Sequence, residues 1–203
     1  MKQQFTAMLA LQDSMNLKVH PEWRSQNFEW YRAIWTECAE LLDHYGWKWW
    51  KKQNPDIDQI KLEIVDIWHF GMSIFLANGT DIESIADEIL TGWDISHQTD
   101  DLRIAIEQLA QNTLSSHTMD IKLFCQLMSL TDMDLDELYR QYIGKNVLNF
   151  FRQDHGYKDG SYIKVWNGKE DNEVLANVLT MLDPQSESFK DEVYQALEQA
   201  YPS

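Results

Sequence analysis

Two acidic pairs sit inside stretches that are otherwise apolar and helix-forming. Glu37 and Glu40 lie among Trp35, Ala39, Leu41 and Leu42, and Glu63 and Asp66 lie among Leu62, Ile64, Val65, Ile67 and Trp68. Residues three apart share a helix face, so each pair aims two carboxylates the same way. A carboxylate set in an apolar face is costly to bury without a partner. If the two faces meet, four carboxylates converge, and they repel one another unless cations neutralise them. An all-oxygen donor set suits Mg²⁺, with Mn²⁺ as the alternative, and Mg²⁺ commonly sits between carboxylates and phosphates. The first expectation is a metal-dependent enzyme acting on a phosphate ester or anhydride, with Glu37, Glu40, Glu63 and Asp66 as metal ligands and catalytic groups. Asp43 and His69 lie one helical step further along the same faces. They read as supports of the ligands or contacts to a sugar, or equally as an ordinary cap and a packed polar group.

Helical periodicity carries the rest of the chain. Residues 2–17 place Phe5, Met8, Leu9, Leu11 and Met15 on one stripe, broken by His20-Pro21. A second helix is expected over 26–45, stopped by Gly46. WKWWKKQ reads as an irregular connection. Asn54 as cap and Pro55 as first helical residue start a third helix that runs to Asn78-Gly79, with Ile57, Ile60, Ile64, Ile67, Trp68, Phe75 and Leu76 for the core. Further helices are expected over 81–90 (capped by Asp81 or Thr80), 100–113 (capped by Thr99 or Asp100), 118–130, 133–153, 170–182 and 187–200, with Asp183-Pro184 between the last two. SYIKVWNG is either a short extended piece or a broken helix. The predicted fold class is all-α: a multi-helix bundle whose E-x-x-E and E-x-x-D helices belong to a central four-helix core. It is read as a single domain over 1–203 with a variable helical segment at about 80–130.

Composition decides between partners. With 33 acidic against 17 basic residues the net charge is −16, which argues against a nucleic-acid polymer, since a basic face is expected for one. Ten of the 17 basic residues nevertheless fall in two stretches: Lys48, Lys51, Lys52 and Lys61, then Arg140, Lys145, Arg152, Lys158, Lys164 and Lys169. Such a distribution suits a small anion, or simply two solvated faces. In the second stretch Lys145, Asn149 and Arg152 share a helix face, Tyr157 and Lys164 lie on the loop beyond, and Asn172 follows. Arg and Lys grip phosphate oxygens and Tyr and Asn add neutral donors. Gln12 and Asn16, four apart, offer amides that read the edge of a nucleobase, or are exposed helix polars. Of Trp47, Trp49 and Trp50, one suits stacking on a base, with a core or interface place expected for at least two. Asp132, Asp134 and Asp136 imitate the start of a calcium loop, but Glu137 and Ile143 stand where that loop needs Gly and Glu. The two cysteines give no disulfide framework. With no long apolar run and no signal-like N-terminus, a cytoplasmic protein without a membrane partner is expected.

Taken together, these motifs resemble the dimeric all-α dUTPases of the all-α nucleoside triphosphate pyrophosphohydrolases. The chain reads LQDxxN at 11–16, ECAELxDHxxWKWWK at 37–51, ExxDIWHF at 63–70 and KNxLNxFRxxxGYKxGxYxKxWxGxEDN at 145–172, with 22 residues between Glu40 and Glu63. The resemblance covers roughly a third of the residues and leaves 80–130 without a counterpart. It implies Mg²⁺-dependent hydrolysis of dUTP, and dUDP, to dUMP, with Glu37, Glu40, Glu63 and Asp66 holding the metal. It further implies Lys145, Arg152, Tyr157 and Lys164 on the phosphates with Asn149 and Asn172 assisting, and Gln12, Asn16 and Trp47 on uracil. His69 and Phe70 would exclude a ribose 2′-hydroxyl, and the enzyme would be a homodimer whose partner lends residues. Glu37 is the expected proton acceptor, with no covalent intermediate, because no activated Ser or Cys is evident. The rivals are a pyrophosphohydrolase of another deoxynucleotide, such as dCTP or a modified one, and a non-catalytic nucleotide-binding regulator.

Overall fold

The computed structural model describes residues 1–202 apart from 80, 97–98, 184–185 and 187, so the Thr80 cap and Pro184 lie outside the described residues. The chain divides into two compact units, Met1–Leu138 and Tyr139–Ser203. Helices α1 (Lys2–Val19), α2 (Trp30–Tyr45), α3 (Ile57–Asn78), α4 (Ile82–Gly92), α5 (Leu102–Ser116) and α6 (Ile121–Leu130) belong to the first. Helix α7 (Leu135–Asp154) begins there and continues into the second unit, which holds strands β1 (Val165–Trp166) and β2 (Lys169–Glu170) and helices α8 (Asp171–Met181) and α9 (Phe189–Ala200). The expected all-α bundle is what forms. Among the described residues no helix is long and apolar enough to cross a membrane.

In the first unit α3 packs against α1, α2 and α4, and α2 also packs against α5. Helix α3 is buried almost all round, from Ile60 to Leu76, as a central helix must be. Trp68, fully buried, stacks on Phe124 at 5.0 Å and lies edge-on to Trp93 at 5.8 Å. Gly71 admits Met119 so closely that a Cβ would stand 2.3 Å from its methyl carbon. Two expected core residues differ: Ile57 is 47% exposed, because it opens the helix, and Phe75 is only half-buried. On α1 the buried stripe is Phe5, Met8, Leu9, Gln12, Met15 and Asn16. Leu11 is only half-buried, and two amides take the inward positions of the last turns.

Helix starts moved where a better cap lay downstream. Asp56, not Asn54, caps α3 by accepting from Gln59 N, and its own N–H donates to His44 O at 3.0 Å. Asp81 caps α4 as expected, while Asp101, not Thr99 or Asp100, caps α5. Helix α2 starts at Trp30 because Asn27 takes φ 52° after a 3₁₀ turn at Trp23–Ser25. The acids at 132–136 form a helix start: Asp134 accepts from Glu137 N at 2.8 Å and Asp136 from Gln4 Nε2 at 2.8 Å.

In the second unit α8 packs against α9 and the small hairpin. SYIKVWNG resolves as the extended alternative: β1 and β2 pair antiparallel around Asn167-Gly168, both with positive φ (52° and 84°), the geometry of a tight hairpin turn.

Candidate active site

Helical geometry puts Glu37 in the packing face of α2. It stands three residues after Ile34 and four before Leu41, and Ile34, Cys38 and Leu41 are the buried stripe. Glu63 repeats the arrangement on α3, three after Ile60 and four before Ile67, and is 7% exposed. Because α2 and α3 pack together, the acids meet. One carboxylate oxygen from each of Glu37, Glu63 and Asp66 lies within 4.8 Å of the others. Burial, then the charges of Asp66, Glu63 and Glu40 and a shared hydrogen bond with Glu63, push the Glu37 carboxyl up to about 9. Glu40 is exposed at the rim and stands outside that trio, although its charge is felt at Glu37. His44, overlooked in the sequence, approaches Glu63 with Nε2 at 3.4 Å from Oε1. It sits one turn beyond Glu40, a spacing that could have drawn notice.

The donor set fits a hard divalent cation. All donors are carboxylate oxygens, they are gathered on two rigid helices, and at neutral pH a proton has to stand in for positive charge. A chain that gathers like charges in a packed interface has a use for a cation there.

Further along α3 lies a polar network inside the first unit. Gln12 and Asn16 of α1, each 5% exposed, both reach Ser73 of α3, which is fully buried. Gln12 Nε2 donates to Asn16 Oδ1 at 3.0 Å and to Ser73 Oγ at 3.1 Å, and Asn16 Nδ2 donates to Ser73 Oγ at 3.0 Å. Ser73 in turn donates to His69 O at 3.0 Å, and His69 Nδ1 lies 2.7 Å from Gln12 Oε1. An amide oxygen only accepts, so His69 carries its proton on Nδ1. The amides are therefore not exposed helix polars, and His69 belongs to them. Ser73 was not signalled by the sequence, where a lone serine in an apolar run reads as a helix residue bonded back to its own backbone.

Phe70, half-buried, stacks on Trp30 at 6.2 Å. Asp43 is exposed and tied to the loop beyond α2, accepting from Trp47 Nε1 and Lys48 Nζ, each at 3.0 Å; its carboxyl is lowered by the Lys48 and Trp47 hydrogen bonds. Trp47, Trp49 and Trp50 are 43%, 90% and 57% exposed. None of the three is buried, so of the core or interface place expected for at least two of them the core is excluded, and they lean on each other edge-on. Cys38 and Cys125 are buried, and burial pushes both thiols up to about 12, which leaves little thiolate.

In the second unit two of the basic residues, Lys145 and Arg152, converge on Asn172. Lys145, 3% exposed, donates to Asn172 Oδ1 at 3.0 Å. Arg152 places Nε and Nη2 on the two oxygens of Asp171, at 2.8 and 2.9 Å, and also reaches Asn149 at 3.2 Å and Asn172 at 3.3 Å. Tyr162 donates to Asp171 Oδ2 at 2.8 Å. Burial alone would raise the Asp171 carboxyl, but the Arg152 fork and charge, then Tyr162 and Lys145, hold it below the usual carboxylate range. Asp171 and Tyr162 were given no role from sequence, although both stand at fixed positions of the long 145–172 motif. Tyr157 is 50% exposed beneath the Arg152 guanidinium (5.8 Å), and Lys164 forms an exposed pair with Glu170 at 3.1 Å. The loop is backed by an aromatic cluster in which Tyr201 stacks on Tyr162 at 5.5 Å and accepts from Ile163 N at 3.0 Å.

A family model described as dUTPase matches residues 4–157 of this chain. Comparison with curated proteins gives no match.

Proposed function

Because the chain belongs to the dUTPase family and its activity is the hydrolysis of dUTP, we propose that it converts dUTP, and dUDP, to dUMP in a Mg²⁺-dependent reaction, Mn²⁺ being the alternative ion. The observation that carries this reading is the convergence of Glu37, Glu63 and Asp66 within 4.8 Å in the packed α2–α3 face. Glu40, at the rim and one turn from Glu37, is the fourth ligand in this reading. When bound, the metal supplies positive charge against phosphate oxygens and lowers the pKa of a coordinated water.

The residues divide the remaining work. Glu37 accepts the proton of the attacking water, its carboxylate standing among the acids that would hold the metal. Lys145, Arg152, Tyr157 and Lys164 hold the phosphates, with Asn149 and Asn172 fixing Lys145 and Arg152 by the bonds described above. Gln12, Asn16 and Trp47 read uracil. His69 and Phe70 close the sugar site against a 2′-hydroxyl. Along α3, Ser73 stands seven residues, about 10 Å, beyond Asp66 on the same face. That offset along one helix face supports placing base recognition at the amide network, apart from the acids. The protein is proposed to act as a cytoplasmic homodimer whose partner lends residues.

A panel of dUTP, dUDP, dCTP, dTTP and UTP, scored for released diphosphate or phosphate with Mg²⁺, Mn²⁺ or EDTA, tests all of this. Turnover of dUTP and dUDP alone, abolished by EDTA and restored by Mg²⁺, is the expected result. Equal turnover of dCTP, or full rate in EDTA, would defeat the corresponding part.

A further inference from the structure

The amide network raises a question of polarity. An amide offers a donor and an acceptor side by side, and rotating it by half a turn exchanges them. Uracil presents an acceptor at O4 beside a donor at N3–H, whereas cytosine presents a donor at N4 beside an acceptor at N3. A base-reading amide discriminates the two only if something forbids that rotation.

Ser73 supplies the prohibition. Its hydroxyl proton is committed to His69 O one turn back on α3, at 3.0 Å, so toward α1 the oxygen offers only lone pairs. Two amide groups meet those lone pairs, Gln12 Nε2 at 3.1 Å and Asn16 Nδ2 at 3.0 Å. Were Asn16 rotated, its oxygen would face the Ser73 oxygen, and its nitrogen would face Gln12 Nε2, which now donates to Asn16 Oδ1 at 3.0 Å. Gln12 is locked as well, since rotation would turn its oxygen toward the Ser73 and Asn16 oxygens that its Nε2 now meets at 3.1 and 3.0 Å. With Gln12 and Asn16 only 5% exposed and Ser73 fully buried, water has little access to mend a mismatched bond, and a buried donor facing a donor is strongly disfavoured.

We infer that Ser73 is the specificity-determining residue of the base site: as a pure acceptor toward α1 it fixes the polarity of both amides, so that Gln12 Nε2 is spent on Asn16 and Ser73 while Asn16 keeps one amide hydrogen beside an oxygen lone pair, the pair that takes uracil and rejects cytosine. The inference rests on the proposed reading that Gln12 and Asn16 contact the base. Ser73 itself acts through them and is a positioning residue.

The test is the ratio of kcat/KM for dUTP to that for dCTP, measured within each variant so that any loss of folded protein cancels. Ser73→Ala removes the oxygen with little change of volume and is expected to lower the ratio at least tenfold. Ser73→Thr keeps the oxygen and is expected to hold it. The ratio of dUTP to dTTP, which turns on a methyl group and not on amide polarity, is expected to stay within about twofold in both. An unchanged dUTP/dCTP ratio in Ser73→Ala overturns the inference and leaves the dUTP reading intact. Equal losses in Ala and Thr, or a parallel fall in the dTTP ratio, also overturn it, because the hydroxyl would then be irrelevant. A wild-type enzyme that does not separate dUTP from dCTP overturns the base-site reading and this inference together.

Discussion

Around Glu37 like charges are gathered; around Arg152 unlike charges are paired. Burial, and then the crowding of Glu37 by Asp66, Glu63 and the nearby Glu40, make Glu37 hold its proton far above the ordinary carboxylate range. In the second unit Arg152 meets Asp171 through two hydrogen bonds, with Tyr162, Asn149 and Asn172 completing the shell. Both clusters are built chiefly on helices, and each has one fully or nearly buried acid at its centre, Glu63 and Asp171. The difference teaches where an outside ion is required. The acidic cluster is completed only by adding positive charge. In the basic one Arg152 is already paired with a carboxylate of the chain, so it is held in place without an outside ion, and in the proposed reading it meets a phosphate in that fixed position.

The comparison breaks most directly at the acids. Asp66→Ala or Glu63→Ala is expected to lower kcat on the order of 10²–10³-fold or more, since each removes a carboxylate from the group that would hold the metal. The fold should hold, as judged by circular dichroism. Glu40→Ala should cost clearly less, because Glu40 stands at the exposed rim and outside the 4.8 Å trio. Steady-state rates for the three variants decide it: equal losses would put Glu40 among the inner ligands.

Removing the counter-charge in the second unit tests the other side. Asp171 is fully buried against an Arg152 side chain that is 12% exposed. Asp171→Ala strands that guanidinium and should destabilise the protein by about 3–5 kcal/mol, the usual cost of breaking a buried pair from one side, read by urea melts. The pH dependence has a definite sign. The folded carboxyl sits below its ordinary value, so its contribution is complete above about pH 4 and is lost as pH falls through the depressed value. An acid melt of wild type steeper than that of Asp171→Asn would show it.

How far these two clusters could be read in advance depended on whether the chemistry was local. The acidic pairs were legible because i, i+3 spacing inside apolar flanks fixes a face without reference to anything distant. Glu40's place at the rim was not, since it depends on where the α2–α3 contact runs, and a helical repeat leaves about 60° of doubt between neighbours in a pair. Ser73 and Asp171 were illegible for a different reason. A serine in an apolar helix and an acid at a helix start each have a sufficient local explanation, and only tertiary partners, Gln12 with Asn16 and Arg152 with Tyr162, give them a further one. Helix identities came through, while starts slipped by two residues where a further Asp competed for the cap, at Asp56 and Asp101.

The acidic cluster also predicts a pH response of opposite kind, smaller than the losses above. Glu37 binds its proton up to about pH 9 when folded, against an ordinary value of 4.5. Between those limits the folded state holds a proton that the unfolded chain has released, so without metal the stability falls as pH rises. Melting temperatures in EDTA should therefore drop from pH 5 to pH 9. Millimolar Mg²⁺ should raise them most at the alkaline end, where the carboxylates no longer need to lose a proton to bind it. A Glu37→Gln variant should show neither the slope nor the full Mg²⁺ response, and a wild-type slope in that variant would move the repulsion elsewhere in the chain.

The smallest expected effect separates charge that holds structure from charge that meets substrate. Lys164 and Glu170 form an exposed pair, with side chains 54% and 52% accessible, and such a pair contributes less than ~1 kcal/mol to stability. Lys164→Ala should thus leave the urea midpoint nearly unmoved. If Lys164 meets a phosphate, the same substitution should raise KM for dUTP on the order of tenfold, the weight of one charge-assisted bond, and more at low salt than at high. Lys145→Ala is the contrast. Lys145 is buried on Asn172, so that variant should lose stability and KM together. A Lys164→Ala enzyme with unchanged KM would confine phosphate binding to the residues that Asp171 and Asn172 hold in place.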